Sequence, residues 1–343
     1  MRSEILAKVI RGNMVESIHC GHFIVIDGEG KPISQIGDPS TVTFYRSACK
    51  PFQAMPLITS GAADAFGFSE EEIALACASH SGEARHVRIA ELMLQRIGLS
   101  EAYLRCGTHL PFYEKEAERM MRAGEYPNQL HNNCSGKHAA MLALAKHLDA
   151  DLESYEDFDH PVQKAILSAI AEFAEIPIGE IALAVDGCAA PNFAVPVSAM
   201  ARSFLNLVSP PESFDEASRL AAGRIVSAMT KFPELIGGTE RLDTMLMQAA
   251  EGRIISKVGA DGVWLCGVRP CEKYPTGLGI ALKVEDGDDK RARPVVAVEI
   301  LRNLDVLTNE DLTELSPMPI KNRREDTVGR IEAISFDQFA IQR

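Results

Sequence analysis

A chain of 343 residues that is 46% hydrophobic holds enough apolar material for one large core or two smaller lobes. Its formal net charge is −13, with lysines and arginines scattered; this speaks against nucleic acid as a partner, since a binder needs a basic face to displace counterions. No run is long enough for a membrane span and no apolar stretch opens the chain, so a soluble cytoplasmic protein is expected, without a membrane partner and with its eight cysteines mostly reduced.

In chain order, residues 7–11 and 21–27 read as β-rich, and Gly28-Glu29-Gly30-Lys31 as the turn after the second strand. A strand-like stretch over 42–45 leads into a helix over about 50–59. Ser69-Glu70-Glu71-Glu72 is a capping box that opens a helix running towards Ala78. Further helices are expected over 83–97, stopped by Gly98, and over 136–148, 161–174, 198–205 and 212–229. Strands return over 253–258, 263–268 and 279–284, the first two joined by an Asp261-Gly262 turn. A helix over 294–303 would cover the sheet, and Asp286-Gly287-Asp288-Asp289-Lys290 reads as a charged surface loop.

Strands at both ends and helices between them predict an α/β (α+β) fold. The terminal strands would join into one antiparallel sheet flanked by helices, with a helical region inserted. Residues 1–343 then form a single domain of two lobes, the sheet and a mainly helical middle, with a cleft between them as the expected place for a site.

Arg46-Ser47-Ala48-Cys49-Lys50 contains S-x-x-K at a helix start, where serine and lysine one turn apart share a face. A serine is a poor nucleophile at neutral pH, and a neutral lysine can take its proton. The pattern is short enough to arise by chance. Two further elements strengthen it: Ser79-His80-Ser81-Gly82 in a loop between helices, and Lys257-Val258-Gly259-Ala260 at the end of a strand. In serine β-lactamases and penicillin-binding proteins the order is S-x-x-K, S-D-N in a loop, then K-T-G on a strand. The second and third parts are degenerate here. Ser79 could instead cap a helix, and Lys257 could be a solvated strand residue.

Asn132-Asn133-Cys134-Ser135-Gly136-Lys137-His138 and Val185-Asp186-Gly187-Cys188-Ala189-Ala190-Pro191 form a third constellation. Gly136-Lys137 is no phosphate loop, because His131 stands where that pattern needs glycine. Cys134 reads as a thiol nucleophile at a helix N-terminus, as a soft metal ligand with Cys188, or as a buried structural cysteine. All nine histidines lie between His19 and His160, and no H-E-x-x-H pattern occurs, which excludes a zincin.

On Arg46-Ser47-Ala48-Cys49-Lys50, Ala78-Ser79-His80-Ser81-Gly82-Glu83, Asn133-Cys134-Ser135-Gly136-Lys137-His138, Asp186-Gly187-Cys188-Ala189-Ala190-Pro191 and Ser256-Lys257-Val258-Gly259-Ala260, the chain resembles the asparaginase II family of the Rhizobium type over nearly its whole length. The resemblance implies a fold like serine β-lactamases and serine-dependent glutaminases. It implies conversion of L-asparagine to L-aspartate and ammonia, in a homodimer. It pairs Ser47 with Lys50 and Ser79 with Lys257, and implies zinc on Cys134, Lys137 and Cys188. Some relatives carry cysteine where Leu242 stands.

The expected chemistry is attack by Ser47 on the amide carbon, with Lys50 as base and Ser79 and Lys257 relaying protons. Backbone N–H groups near Ser47 would hold the oxyanion. Arg46, His138 and Asp186 are candidates for gripping the substrate's α-carboxylate and α-ammonium. The alternatives are a serine-dependent glutaminase or another β-lactamase-like amidohydrolase, and a silent zinc-binding module.

Overall fold

The computed structural model describes residues 3–336. Strands β1 (Glu4–Arg11), β2 (Met14–Ile26), β3 (Pro32–Ile36) and β4 (Val42–Phe44) come first. Helices α1 (Lys50–Thr59), α2 (Ala62–Ala65), α3 (Glu70–Ala76), α4 (Ala84–Arg96), α5 (Glu114–Ala123), α6 (Ser135–His147) and α7 (Pro161–Ala174) follow. The hairpin of β5 (Ala182–Val185) and β6 (Pro191–Pro196) precedes α8 (Val197–Val208), α9 (Glu216–Lys231), α10 (Pro233–Ile236) and α11 (Leu242–Ala249). Strands β7 (Ile254–Gly259), β8 (Val263–Val268) and β9 (Leu278–Val284), helix α12 (Ala292–Asn303) and strands β10 (Met318–Lys321) and β11 (Thr327–Ala333) complete it. No helix among the described residues is long and apolar enough to cross a membrane.

The chain is a mixed α/β protein and divides into two compact units. One holds the residues up to Ala48, Val195–Ser209 and those from Met245 on; the other holds Cys49–Ala194 and Pro210–Thr244.

The first unit is built on the expected antiparallel sheet from both chain ends, in the order β10-β11-β1-β2-β9-β8-β7, with β3 also paired to β2. Strands β7 and β8 are buried at every position, which is why they read as continuous apolar runs. Helix α8 lies against β8 and β9 where a side chain is missing. A Cβ on Gly279 would meet the Ala201 carbonyl oxygen at 2.1 Å, and one on Gly267 the Phe204 oxygen at 2.8 Å. Helix α12 covers the sheet as expected, with Val295 packed against Val9 and Ile331. Asp261 and Gly262 turn the β7–β8 hairpin at φ 59° and 78°. Glycine enters that left-handed region freely and aspartate tolerates it.

In the second unit α1 packs against α6, α7 and α9. Phe52 and Phe173 meet at 5.7 Å between ring centroids. Helix α6 is buried from Ser135 to Ala145, on all sides, which fits its alanine-rich sequence without a polar stripe. The Ser69 capping box forms: Ser69 N donates to Glu72 Oε2 at 2.7 Å, and Glu72 N to Ser69 Oγ at 3.4 Å. Helices α1 and α7 have the expected bounds. Helices α5 and α11 and the β5–β6 hairpin were not foreseen from the sequence.

Candidate active site

In the first unit Ser47 sits half-buried on a single 3₁₀ turn, Arg46–Cys49, that follows β4 and runs directly into the chain of α1. Tyr45 fixes the entry to that turn. It is fully buried, its hydroxyl donates to Ser203 Oγ at 3.0 Å, and its carbonyl accepts from Ala48 N at 3.1 Å. Arg46 takes φ 51°, a sparsely populated conformation for a side-chain-bearing residue. The end of β7 lies against the same turn. A Cβ on Gly259 would meet the Tyr45 carbonyl oxygen at 2.3 Å, and Arg46 Nη1 pairs with Asp261 at 2.5 Å. The strand that carries Lys257 is thereby brought to the turn that carries Ser47. Lys257 is not a solvated strand residue: it is 0% exposed, and its Nζ donates to Val258 O at 3.1 Å.

In the second unit the site residues come from α1, the loop between α3 and α4, the start of α6 and the β5–β6 turn. Lys50, the first residue of α1, is 1% exposed. Its amine lies 2.6 Å from Ala78 O, 2.9 Å from Ser79 Oγ and 3.1 Å from Asn133 O. A buried amine needs such partners, because an unpaired polar group away from water is costly. Ser79 is buried and its N–H donates to Ile236 O at 2.9 Å.

Asn133 links Lys50 to the cysteine cluster. Its N–H donates to His109 Nε2 at 3.0 Å, and its Oδ1 accepts from Cys134 Sγ at 3.5 Å. Asn132 Oδ1 takes the Cys134 N–H at 2.8 Å, at the head of α6. One turn into α6, Lys137 Nζ donates to Cys188 Sγ at 3.0 Å. Cys188 itself stands on the β5–β6 turn, which Asp186 closes by donating its N–H to Ala190 O at 2.9 Å and accepting the Gly187 N–H on Oδ1 at 2.8 Å.

Electrostatics in this cluster favour the charged forms of Cys188 and Lys137. The hydrogen bond from Cys134, with the Lys137 charge and against the cost of burial, holds the Cys188 thiol far below its ordinary value. Burial disfavours the Lys137 cation, but Cys188 and Cys134 outweigh it and hold its pKa above the usual lysine range. Burial pushes the neighbouring Cys49 up to about 12. His138 Nδ1 lies 2.7 Å from the Tyr155 hydroxyl, whose oxygen accepts from Arg105 N at 2.9 Å. Among the described residues the buried Nε2 of His138 has no hydrogen-bond partner within normal geometry, and burial lowers the pKa of His138 despite the nearby Cys188.

The family profile described as L-asparaginase II matches residues 7–333. The chain belongs to the L-asparaginase II family. Membership makes it an amidohydrolase. No curated protein sequence matches it. Among solved structures it is similar to a probable glutaminase from Bacillus subtilis complexed with 6-diazo-5-oxo-L-norleucine, at 11% identity over 84% of this chain and 85% of that one, with a TM-score of 0.43. A Bacillus glutaminase in the presence of 4.3 M NaCl is similar at 12% identity over 84% of this chain and 92% of that one, with a TM-score of 0.39.

In this member of the L-asparaginase II family, the zinc expected on Cys134, Lys137 and Cys188 meets a donor set that suits it. Two sulfurs and an amine are soft to borderline ligands, and the Lys137–Cys188 contact is already in place. Among the described residues no three His, Cys, Asp or Glu side chains are arranged to hold a metal together. The set that the resemblance implies takes its third ligand from the Lys137 amine. That amine offers a lone pair only after losing its proton, so binding would release protons.

Three residues escaped the sequence reading. Asn133 was seen in its motif but given no role, although its carbonyl holds Lys50. Tyr155 had no local signal; only the fold brings it to His138. Glu83 was read as the start of a helix, and its carboxylate in fact binds Thr239 and Arg85.

Proposed function

We propose that this family member hydrolyses the side-chain amide of L-asparagine, giving L-aspartate and ammonia through a serine acyl-enzyme. The observation that supports this best is the buried 2.9 Å contact between Lys50 Nζ and Ser79 Oγ. Ala78 O and Asn133 O take two N–H groups of the same amine. With the amine held by these two carbonyls, a lone pair on deprotonated Lys50 faces the Ser79 hydroxyl, so Ser79 is the route by which a proton reaches Lys50.

Ser47 Oγ attacks the amide carbon and its proton passes through the Ser79 hydroxyl to Lys50. The new C–O bond leaves a tetrahedral oxyanion, stabilised by backbone N–H groups near Ser47. As it collapses the C–N bond breaks, and Ser79 and Lys257 relay the proton held by Lys50 to the leaving nitrogen, which departs as ammonia and leaves Lys50 neutral again. Water then attacks the aspartyl ester, giving one proton to Lys50, and aspartate leaves as Ser47 recovers its hydroxyl hydrogen. Arg46, His138 and Asp186 grip the α-carboxylate and α-ammonium.

Zinc bound by Cys134, Lys137 and Cys188 would supply a fixed charge that ties the head of α6 to the Asp186–Cys188 turn. His138 follows Lys137 in sequence and Asp186 lies two residues before Cys188, so these ligands orient both substrate-gripping residues. Eight cysteines without a C-x-x-C pair or a tight framework fit a protein of the reducing cytoplasm. The active form is a homodimer, as the family resemblance implies. Ammonia release from L-asparagine and L-glutamine side by side tests the reading. Preference for asparagine supports it, and release from glutamine alone replaces it with a glutaminase.

A further inference from the structure

The Gly237-Gly238-Thr239 segment is given no part in the mechanism above, yet it is bound along its length to the loop that carries Ser79. Ser79 N donates to Ile236 O at 2.9 Å, and Ser81 Oγ to Gly237 O at 2.8 Å. Gly238 takes φ 110°, and a Cβ there would meet Glu83 Oε1 at 2.6 Å and Ser81 Oγ at 2.7 Å. Thr239 N donates to Glu83 Oε1 at 2.8 Å, and Thr239 Oγ1 to Glu83 Oε2 at 2.9 Å. Arg85 Nη2 closes a ring, donating to Glu83 Oε2 at 2.6 Å and to Thr239 Oγ1 at 2.7 Å. On the other side of the loop, Tyr113 N donates to Ser81 O at 3.1 Å.

We propose that Glu83 is a positioning residue for Ser79: its carboxylate locks Thr239, and with it the Ile236–Thr239 segment, onto the Ser79–Glu83 loop, and so fixes Ser79 Oγ against Lys50. This inference rests on the reading of Ser79 as a proton relay. Glu83 is unsuited to proton transfer itself. Its two oxygens accept from Thr239 N, Thr239 Oγ1 and Arg85 Nη2, and its side chain also takes the His86 N–H at the head of α4. Burial works against its charge, but the hydrogen bonds from Thr239 and Arg85 prevail and keep it below the usual carboxylate range.

Ser79 has two independent anchors, its N–H on Ile236 O and its Oγ on Lys50 Nζ. Loosening the Thr239 clamp frees the first and leaves the second to hold the hydroxyl alone. A relay serine that wanders loses rate in the chemical step, whereas ground-state binding of the amide is left in place.

The test compares Thr239→Val, Thr239→Ser and Glu83→Gln with the native enzyme, by steady-state ammonia release from L-asparagine and by hydrogen exchange of the Ser79 amide. Thr239→Val removes Oγ1 at constant shape. It should lower kcat about tenfold with KM changed by less than about threefold, and speed Ser79 amide exchange by about tenfold. Thr239→Ser restores the hydroxyl and should recover most of both losses. Glu83→Gln should match or exceed the valine variant in both readouts. Unchanged Ser79 exchange in Thr239→Val and Glu83→Gln overturns the proposal, as does a rise in KM at constant kcat. If the native enzyme releases no ammonia from asparagine, the functional reading fails by itself, and the exchange experiment still decides the clamp.

Discussion

Lys50 Nζ and Ser79 Oγ lie 2.9 Å apart although 29 residues separate them in sequence, and both side chains are buried. The Ala78 and Asn133 carbonyls hold the lysine in place from either side. Replacing Lys50 by Met keeps its bulk and removes the amine. It should lower turnover by about a thousandfold, the range of a lost general base, and cost about 1–3 kcal/mol for the two carbonyls left unpaired. Ammonia release and urea unfolding check both. Turnover within tenfold of the native enzyme would remove Lys50 from the chemistry.

His80 and His86 stack at 4.9 Å between ring centroids, both buried. His80 Nδ1 accepts from Gly82 N at 3.1 Å, so its Nε2–H faces Ser135 Oγ at 2.9 Å. His86 Nδ1 accepts from Glu83 N at 3.1 Å, and its Nε2–H donates to Glu234 O at 3.0 Å. Burial lowers His86 to about 4 and His80 well below its ordinary value. The unfolded chain, with histidines near about 6.5, binds the protons first. Stability is therefore full above about pH 6.5 and falls as the pH drops towards about 4, by roughly 3 kcal/mol for His86 alone. Urea midpoints at pH 7, 6 and 5 should decline steadily, and His86→Gln should flatten the slope. A midpoint constant over that range would contradict the assignment.

The Lys137–Cys188 contact carries the metal proposal. Protein purified without chelators should contain about one zinc per chain, and Lys137→Met or Cys188→Ala should lose it, with KM raised more than kcat is lowered. Metal analysis with steady-state kinetics decides this. Complete loss of kcat on chelation, recovered with zinc, would make the metal catalytic. Native protein without metal would leave Cys134 and Cys188 as plain thiols.

Gly136 is held by the α3–α6 contact: a Cβ there would meet Leu75 O at 2.3 Å and Leu75 Cγ at 2.7 Å. Gly136→Ala should cost about 1–3 kcal/mol despite alanine's better helix propensity, because the packed backbone of α3 cannot yield. Urea unfolding measures it. A stabilised variant would show that α3 and α6 separate more easily than this packing implies.

Local chemistry was legible in the sequence where the signal is local. The Ser69 capping box, the Asp261-Gly262 turn and the ends of α1 and α7 depend on neighbours within a few residues. The serine and lysine motifs were visible for the same reason. Their partners were not. Asn133 meets Lys50 across 83 residues, Asp261 meets Arg46 across 215, and Thr239 meets Glu83 across 156. The β10–β11 hairpin escaped because β10 is four residues long, carries a proline and is half exposed, so it lacks the apolar run that marked β7 and β8. Lys257 shows the limit most clearly: lysine in a strand favours solvent, and only the fold shows it fully buried.

The account turns on Ser47 as the nucleophile of amide hydrolysis, and ammonia release from L-asparagine by native protein and Ser47→Ala tests it most directly. The native enzyme should release ammonia and aspartate in equal amounts. Ser47→Ala, folded as shown by an unchanged urea midpoint, should retain less than about a thousandth of that rate. Near-native turnover by Ser47→Ala would contradict the account and move the nucleophile to another residue.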